Sequence, residues 1–116
     1  MASTFKQTKD ISFFAEAQLS GTGVSYSSGF DVSAYSELCA FVKVTAIGGT
    51  TPSLAITVQH SPDDVSYFDH STMAAITATG NYYKSITEFA KWARLKYDFS
   101  GTSPTIDMTI AGVVKT

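Results

Sequence analysis

The sequence predicts an all-β antiparallel β-sandwich, jelly-roll or immunoglobulin-like, with seven to nine short strands and little helix. Three observations carry that reading. Apolar residues recur at every second position through most of the chain, while helical spacing is nearly absent. Turn signals rich in Gly, Pro, Ser and Asp punctuate the chain about every ten residues. The chain has 116 residues, 44% hydrophobic and 13% aromatic. Surface scaling leaves roughly 6,100 Å² exposed when folded against roughly 18,000 Å² when extended, enough burial for one core.

The elements follow in chain order. Residues 1–10, MASTFKQTKD, are polar apart from Met1, Ala2 and Phe5, and read as an N-terminal arm, either flexible or partner-binding. Residues 11–116 read as a single β-sandwich domain. ISFFAEAQL (11–19) reads as a strand of mixed pattern and GVSYSS (23–28) as a short edge strand. Phe30–Tyr35 breaks the alternation and reads as one helical turn or a loop. ELCAFVKVTAI (37–47) is the clearest strand, with Leu38, Ala40, Val42 and Val44 on one face and Cys39, Phe41, Lys43 and Thr45 on the other. Apolar residues on both faces suggest a central position.

GGTTP (48–52) reads as a turn. In SLAITVQH (53–60), Leu54, Ile56 and Val58 face inward, so 37–60 is expected to form an antiparallel hairpin. SPDD (61–64) is a second turn, with Pro62 at its favoured second position. Val65, Tyr67 and Phe68 suggest a short strand with a bulge, because both parities carry an aromatic. TGN (79–81) is a turn signal, and 82–87 a short strand or loop. In 91–99, Ala93, Leu95, Tyr97 and Phe99 share a face, with Trp92, Arg94 and Lys96 on the other. SGTSP (100–104) turns the chain, and Ile106, Met108, Ile110 and Val114 line the last strand, giving a second expected hairpin. No internal repeat or interdomain linker is visible.

Composition narrows the function classes. Only 16% of residues are charged, and about thirty Ser and Thr fill the gap, which predicts a polar, nearly uncharged surface. Net charge is −2, and the eight Lys and Arg run from Lys6 to Lys115 without a cluster, so no nucleic-acid partner is expected. Cys39 is the only cysteine, which excludes an intrachain disulfide and a Cys-based zinc cluster. No signal peptide, no membrane span and no membrane partner are expected, because neither an h-region nor a run of 18 apolar residues occurs.

Candidate chemistry is sparse. His60, Asp63, Asp64, Asp69 and His70 fall close together, but their spacing matches no metal motif, and turn chemistry accounts for the aspartates. No serine lies in a GxSxG elbow, and Cys39 sits among apolar strand neighbours as an inert small hydrophobe. No catalytic residue, cofactor site or metal site is therefore assigned, and no enzymatic activity is expected. Tyr67, Phe68, Tyr82, Tyr83 and Trp92 are candidates for an aromatic platform of the kind that stacks sugar rings. The competing reading buries most of these rings, and Phe41, Tyr97 and Phe99 are assigned to the core. Phe5, Lys6, Tyr82, Tyr83 and Trp92 are the residues singled out for partner binding.

QHSPDDVSYFDH (59–70) followed by EFAKWARLKYDFSGTSPTIDMTIAGVV (88–114) resembles small virion proteins of tailed bacteriophages. The resemblance rests on Gln59, Ser61, Pro62, Asp63, Arg94, Tyr97, Gly101, Ser103 and Pro104, and covers about half the chain. Asp64 stands where such loops often have Gly. The resemblance implies a structural virion protein: a capsid decoration protein bound to the major capsid protein, as a homo-oligomer or as lattice-bound copies, or a tail or head-fibre component. A low-charge surface suits packing against a protein lattice, where each buried charge needs a partner. The alternative is a β-sandwich carbohydrate-binding module, which an exposed Trp92 beside Tyr82 or Tyr83 in a groove would favour.

Overall fold

A computed structural model describes residues 7–116. They form one seven-stranded antiparallel sheet: β1 (Thr8–Ser20), β2 (Gly23–Tyr26), β3 (Phe30–Asp31), β4 (Glu37–Ser61), β5 (Phe68–Thr72), β6 (Gly80–Thr87) and β7 (Trp92–Lys115). Phe5 and Lys6 lie outside the described residues. Of the expected arm, Thr8, Lys9 and Asp10 belong to β1 and pair with Lys115, Val114 and Val113.

Two strands organise everything else. β4 has 25 residues and β7 has 24, and they pair with each other along their whole length, from Glu37 against Lys115 to Ser61 against Trp92. The two expected hairpins therefore do not form. GGTTP and SGTSP do not reverse the chain; both strands run on through them. Their glycines, prolines and hydroxyl residues produce a bend in continuous strands instead of the expected turns.

The bend has a near-symmetric construction. Gly49-Thr50-Thr51-Pro52 and Gly101-Thr102-Ser103-Pro104 are the same motif twice, a recurrence too short to register as a repeat in the sequence. They lie opposite each other, with Thr50 paired to Thr102 and register shifts on both sides. Gly49 (φ 101°), Thr51 (φ 49°), Gly101 (φ 124°) and Ser103 (φ 47°) all take left-handed backbone. Each proline removes an amide that an unbroken ladder would use, which is tolerable at a bulge. A Cβ on Gly49 would meet the Ser103 carbonyl oxygen at 2.7 Å, and one on Gly101 would meet the carbonyl oxygens of Thr50 and Thr51 at 3.0 Å.

Bending both strands together folds the sheet over on itself. One layer runs β6, β4 (37–47), β7 (105–115), β1; the other runs β5, β4 (53–61), β7 (92–100), with β2 and β3 on the far side. Ring contacts cross between them: Phe13 of β1 meets Phe30 of β3 edge-on at 5.3 Å, and Phe14 meets Tyr97 at 5.8 Å. The even-numbered residues of β4 supply inward side chains from both layers, Leu38, Val42, Leu54, Ile56 and Val58. They join Leu95, Phe99, Ile106, Met108 and Ile110 in one continuous core. Gly112 leaves the space that the Phe13 ring occupies.

The remaining elements are short edges. Phe30–Asp31 is a two-residue strand, after which Asp31 accepts hydrogen bonds from the Ser33 amide and hydroxyl, so the segment closes as a turn. Phe41, assigned to the core from sequence, is instead 46% exposed. It stands on the odd-numbered face of β4 with Lys43 and Thr45, and although this segment is central in its layer, that face of a two-layer fold looks outward.

Replacing Gly49 by Ala tests the bend. Gly49→Ala should lower the urea unfolding free energy by at least about 2 kcal/mol, from left-handed strain plus backbone crowding. Gly21 also has positive φ (84°) but open space around it, so Gly21→Ala should cost less, about 1–2 kcal/mol.

Candidate functional site

The outer face of the first layer carries an open groove with exposed aromatic walls. Phe41 of β4 and Tyr83 of the edge strand β6 are direct cross-strand partners. Their ring centroids lie 6.4 Å apart with the planes tilted by 33°. Phe41 is 46% and Tyr83 70% exposed, a cost in water that the cross-strand contact offsets only in part. The two rings wall a groove of about 550 Å³, edged by Lys43, Asn81, Thr109 and Ala111. Tyr82, next in the chain, also lines it. Its own ring packs on the core, and its hydroxyl donates to the Ala78 carbonyl at 2.8 Å.

Tyr82 and Tyr83, adjacent on β6, turn their rings to opposite faces, Tyr82 onto the core and Tyr83 outward, and Trp92 joins neither. Trp92 opens β7 in the other layer, half-buried and paired with Ser61 and Asp31. The single platform of Tyr67, Phe68, Tyr82, Tyr83 and Trp92 is therefore not formed. Phe41, Lys43, Asn81 and Thr109 were missed as groove residues. The signal available for Phe41 was its parity, since it alternates with Lys43 and Thr45.

The outer face of the second layer is built differently. The Arg94 guanidinium lies between two rings, 4.1 Å from the Tyr26 centroid and 4.0 Å from that of Tyr67. Its Nε donates to Gln59 Oε1 at 2.8 Å, and Gln59 Nε2 donates to Asp69 Oδ1 at 2.7 Å. The Tyr67 hydroxyl donates to Asp64. Burial and the Asp64 carboxylate push the Tyr67 pKa up to about 12. This network ties β2, β7, β4, β5 and the 61–67 turn together.

The histidines and aspartates of 60–70 divide into structural tasks. Asp63 Oδ1 accepts from the amides of Val65 and Ser66 and from the Ser61 hydroxyl, and these bonds hold its carboxyl below the usual range. His60 and His70 meet edge-to-face at 5.0 Å. His60 Nδ1 accepts the Ala90 amide at 3.0 Å, and His70 Nε2 donates to the Thr87 carbonyl at 2.7 Å. The two bonds fasten the end of β6 and the segment after it to the strands of the other layer. Among the described residues, no group of three or more His, Cys, Asp or Glu is placed to hold a metal ion.

No protein-family model matches the chain, and no curated protein matches it. Solved structures do. The exported protein XepA of PBSX shares the fold with a TM-score of 0.69 at 11% identity, over 91% of this chain and 36% of XepA. The chain therefore spans about a third of XepA's length. The SPBc2 prophage-derived protein YomS aligns with a TM-score of 0.54 at 17% identity, over 100% of this chain and 99% of YomS. At these identities the likeness is one of fold.

The His60 geometry sets a pH dependence. Burial, with a smaller contribution from the His70 ring, lowers the His60 pKa from the ordinary 6.5. A proton on Nδ1 would also face the Ala90 N–H. The folded state thus binds fewer protons than the unfolded chain just below pH 6.5, and stability is lost as pH falls through that value. Urea midpoints should fall between pH 7 and about 5. His60→Gln, which keeps an acceptor but does not titrate, should flatten that fall.

Proposed function

We propose that this protein is a non-enzymatic structural component of a bacteriophage particle, placed as a decoration protein on the outer surface of the head lattice. The observation that carries the reading is architectural. The same antiparallel fold recurs over 91% of the chain in a PBSX protein and over all of it in an SPBc2 prophage-derived protein. The virion-like run of 59–70 and 88–114 supports it independently, since those residues build the bend and the Arg94 network that hold the two layers in place. Its titratable clusters serve turns and layer contacts. Its edge strands β1, β5 and β6 offer backbone for pairing with a lattice protein or a second copy. Weak contacts per copy become strong when repeated over a lattice.

Immunogold labelling of purified phage particles tests this. Dense label over the head is the expected result. Label confined to the tail would move the attachment to a tail or fibre base, and particles without label would overturn the reading.

A further inference from the structure

We infer that the chain is two copies of one three-strand unit, β1-β2-β4 and β5-β6-β7, and that each unit is a binding surface whose partner is the other copy. The inference concerns how the chain assembles and does not depend on placement on a particle.

The bend motif is one part of a longer recurrence. AQLSGTGVSYSS (17–28) lies over AAITATGNYYKS (74–85) without a gap, matching at Ala17, Thr22, Gly23, Tyr26 and Ser28. AFVKV (40–44) then lies over ARLKY (93–97), and GTTPSLAITV (49–58) over GTSPTIDMTI (101–110). The three stretches come in the same order in both halves. Alternation alone would align apolar positions but not glycines. Gly23 and Gly80 open β2 and β6, and both take positive φ, 135° and 148°. The first unit is four residues longer between Ser28 and Ala40 than the second between Ser85 and Ala93, and β3 lies in that insertion.

Strand register repeats with the sequence. Leu19 pairs with Ile106, and their counterparts Ile76 and Leu54 pair with each other. Phe14 pairs with Ile110 as Ser71 pairs with Val58, and Ile11 with Gly112 as Phe68 with His60. Exchanging β1 with β5, β2 with β6 and β4 with β7 therefore carries one layer into the other, about an axis through the Thr50–Thr102 pair.

The ladders make the two units obligate partners. β1, β2 and β3 pair with β7, and β4 pairs with β5, β6 and β7. Each of these ladders joins the first unit to the second, and none lies within a unit. A unit by itself thus has strands but no ladder for their amides and carbonyls. The other unit supplies it, together with the rest of the core: Leu38, Leu54 and Ile56 come from the first, Leu95, Ile106 and Ile110 from the second. This is the self-complementary pairing of a two-fold dimer, closed within one chain by residues 62–67.

The test cuts the connection in the folded full chain. A specific protease site is inserted between Asp64 and Val65, where Val65 is 80% exposed, and the urea midpoint before cutting checks that the insertion is tolerated. After cutting, the two pieces should elute together. Their urea midpoint should rise with protein concentration, which that of the uncut chain does not. Separated in urea, each piece alone should show no cooperative transition, and equimolar mixing should restore the native near-ultraviolet signal. A permuted full chain, 65–116 followed by 1–64, is the second variant. It reverses the order of the units, and six residues link Thr116 to Gln7 as six link Ser61 to Phe68. The Thr116 amide already donates to the Gln7 carbonyl at 3.0 Å, so the permuted chain should fold with the ladder between 37–61 and 92–115 intact. A piece that folds alone, pieces that do not reassemble, or a permuted chain that stays unfolded would overturn the inference.

Discussion

The antiparallel ladder between residues 37–61 and 92–115 is the constraint on which the other elements depend. A strand of 25 residues cannot stay flat against solvent in a chain this small, because one face of it is apolar in both halves, over 38–44 and 54–58. Bending it, with its partner, brings the two apolar halves face to face. The bend needs left-handed backbone on both strands at the same level, and glycine supplies it at two of the four positions. Thr51 and Ser103 take the same conformation at a steric cost that the paired layers must offset. Every other strand then has one place to go, along an edge of either layer.

That ladder also shapes how the chain must fold. Its pairing joins residues far apart in sequence, so little is won from local closure before the long-range contacts form. A hairpin within 37–60 would compete for the same amides.

Alternation made most of the fold legible. The inward faces of 37–47, 53–60, 91–99 and 105–114 follow from period two, and the core of Leu38, Leu54, Ile56, Tyr97 and Ile106 agrees with them. Alternation assigns a side chain to a face but not a strand to a partner. GGTTP and SGTSP carry the composition of a turn, and only the opposing copy of the motif distinguishes a bend from a reversal. Phe41 was misplaced because both faces of its strand are apolar. The groove was half legible: Tyr82 and Tyr83 stood out, whereas Lys43, Asn81 and Thr109 are ordinary surface residues until strand register sets them beside Tyr83. Phe41–Tyr83 marks the exterior of one layer and the Arg94 network that of the other.

Backbone NOEs across the central strands test the ladder most directly. Contacts of Val42 with Ile110 and of Ile56 with Tyr97, on both sides of the bend, are the predicted result. Hydrogen-bonded backbone contacts of Val44 with residues 54–57, with 92–100 pairing to 105–115, would show two separate hairpins and contradict the account.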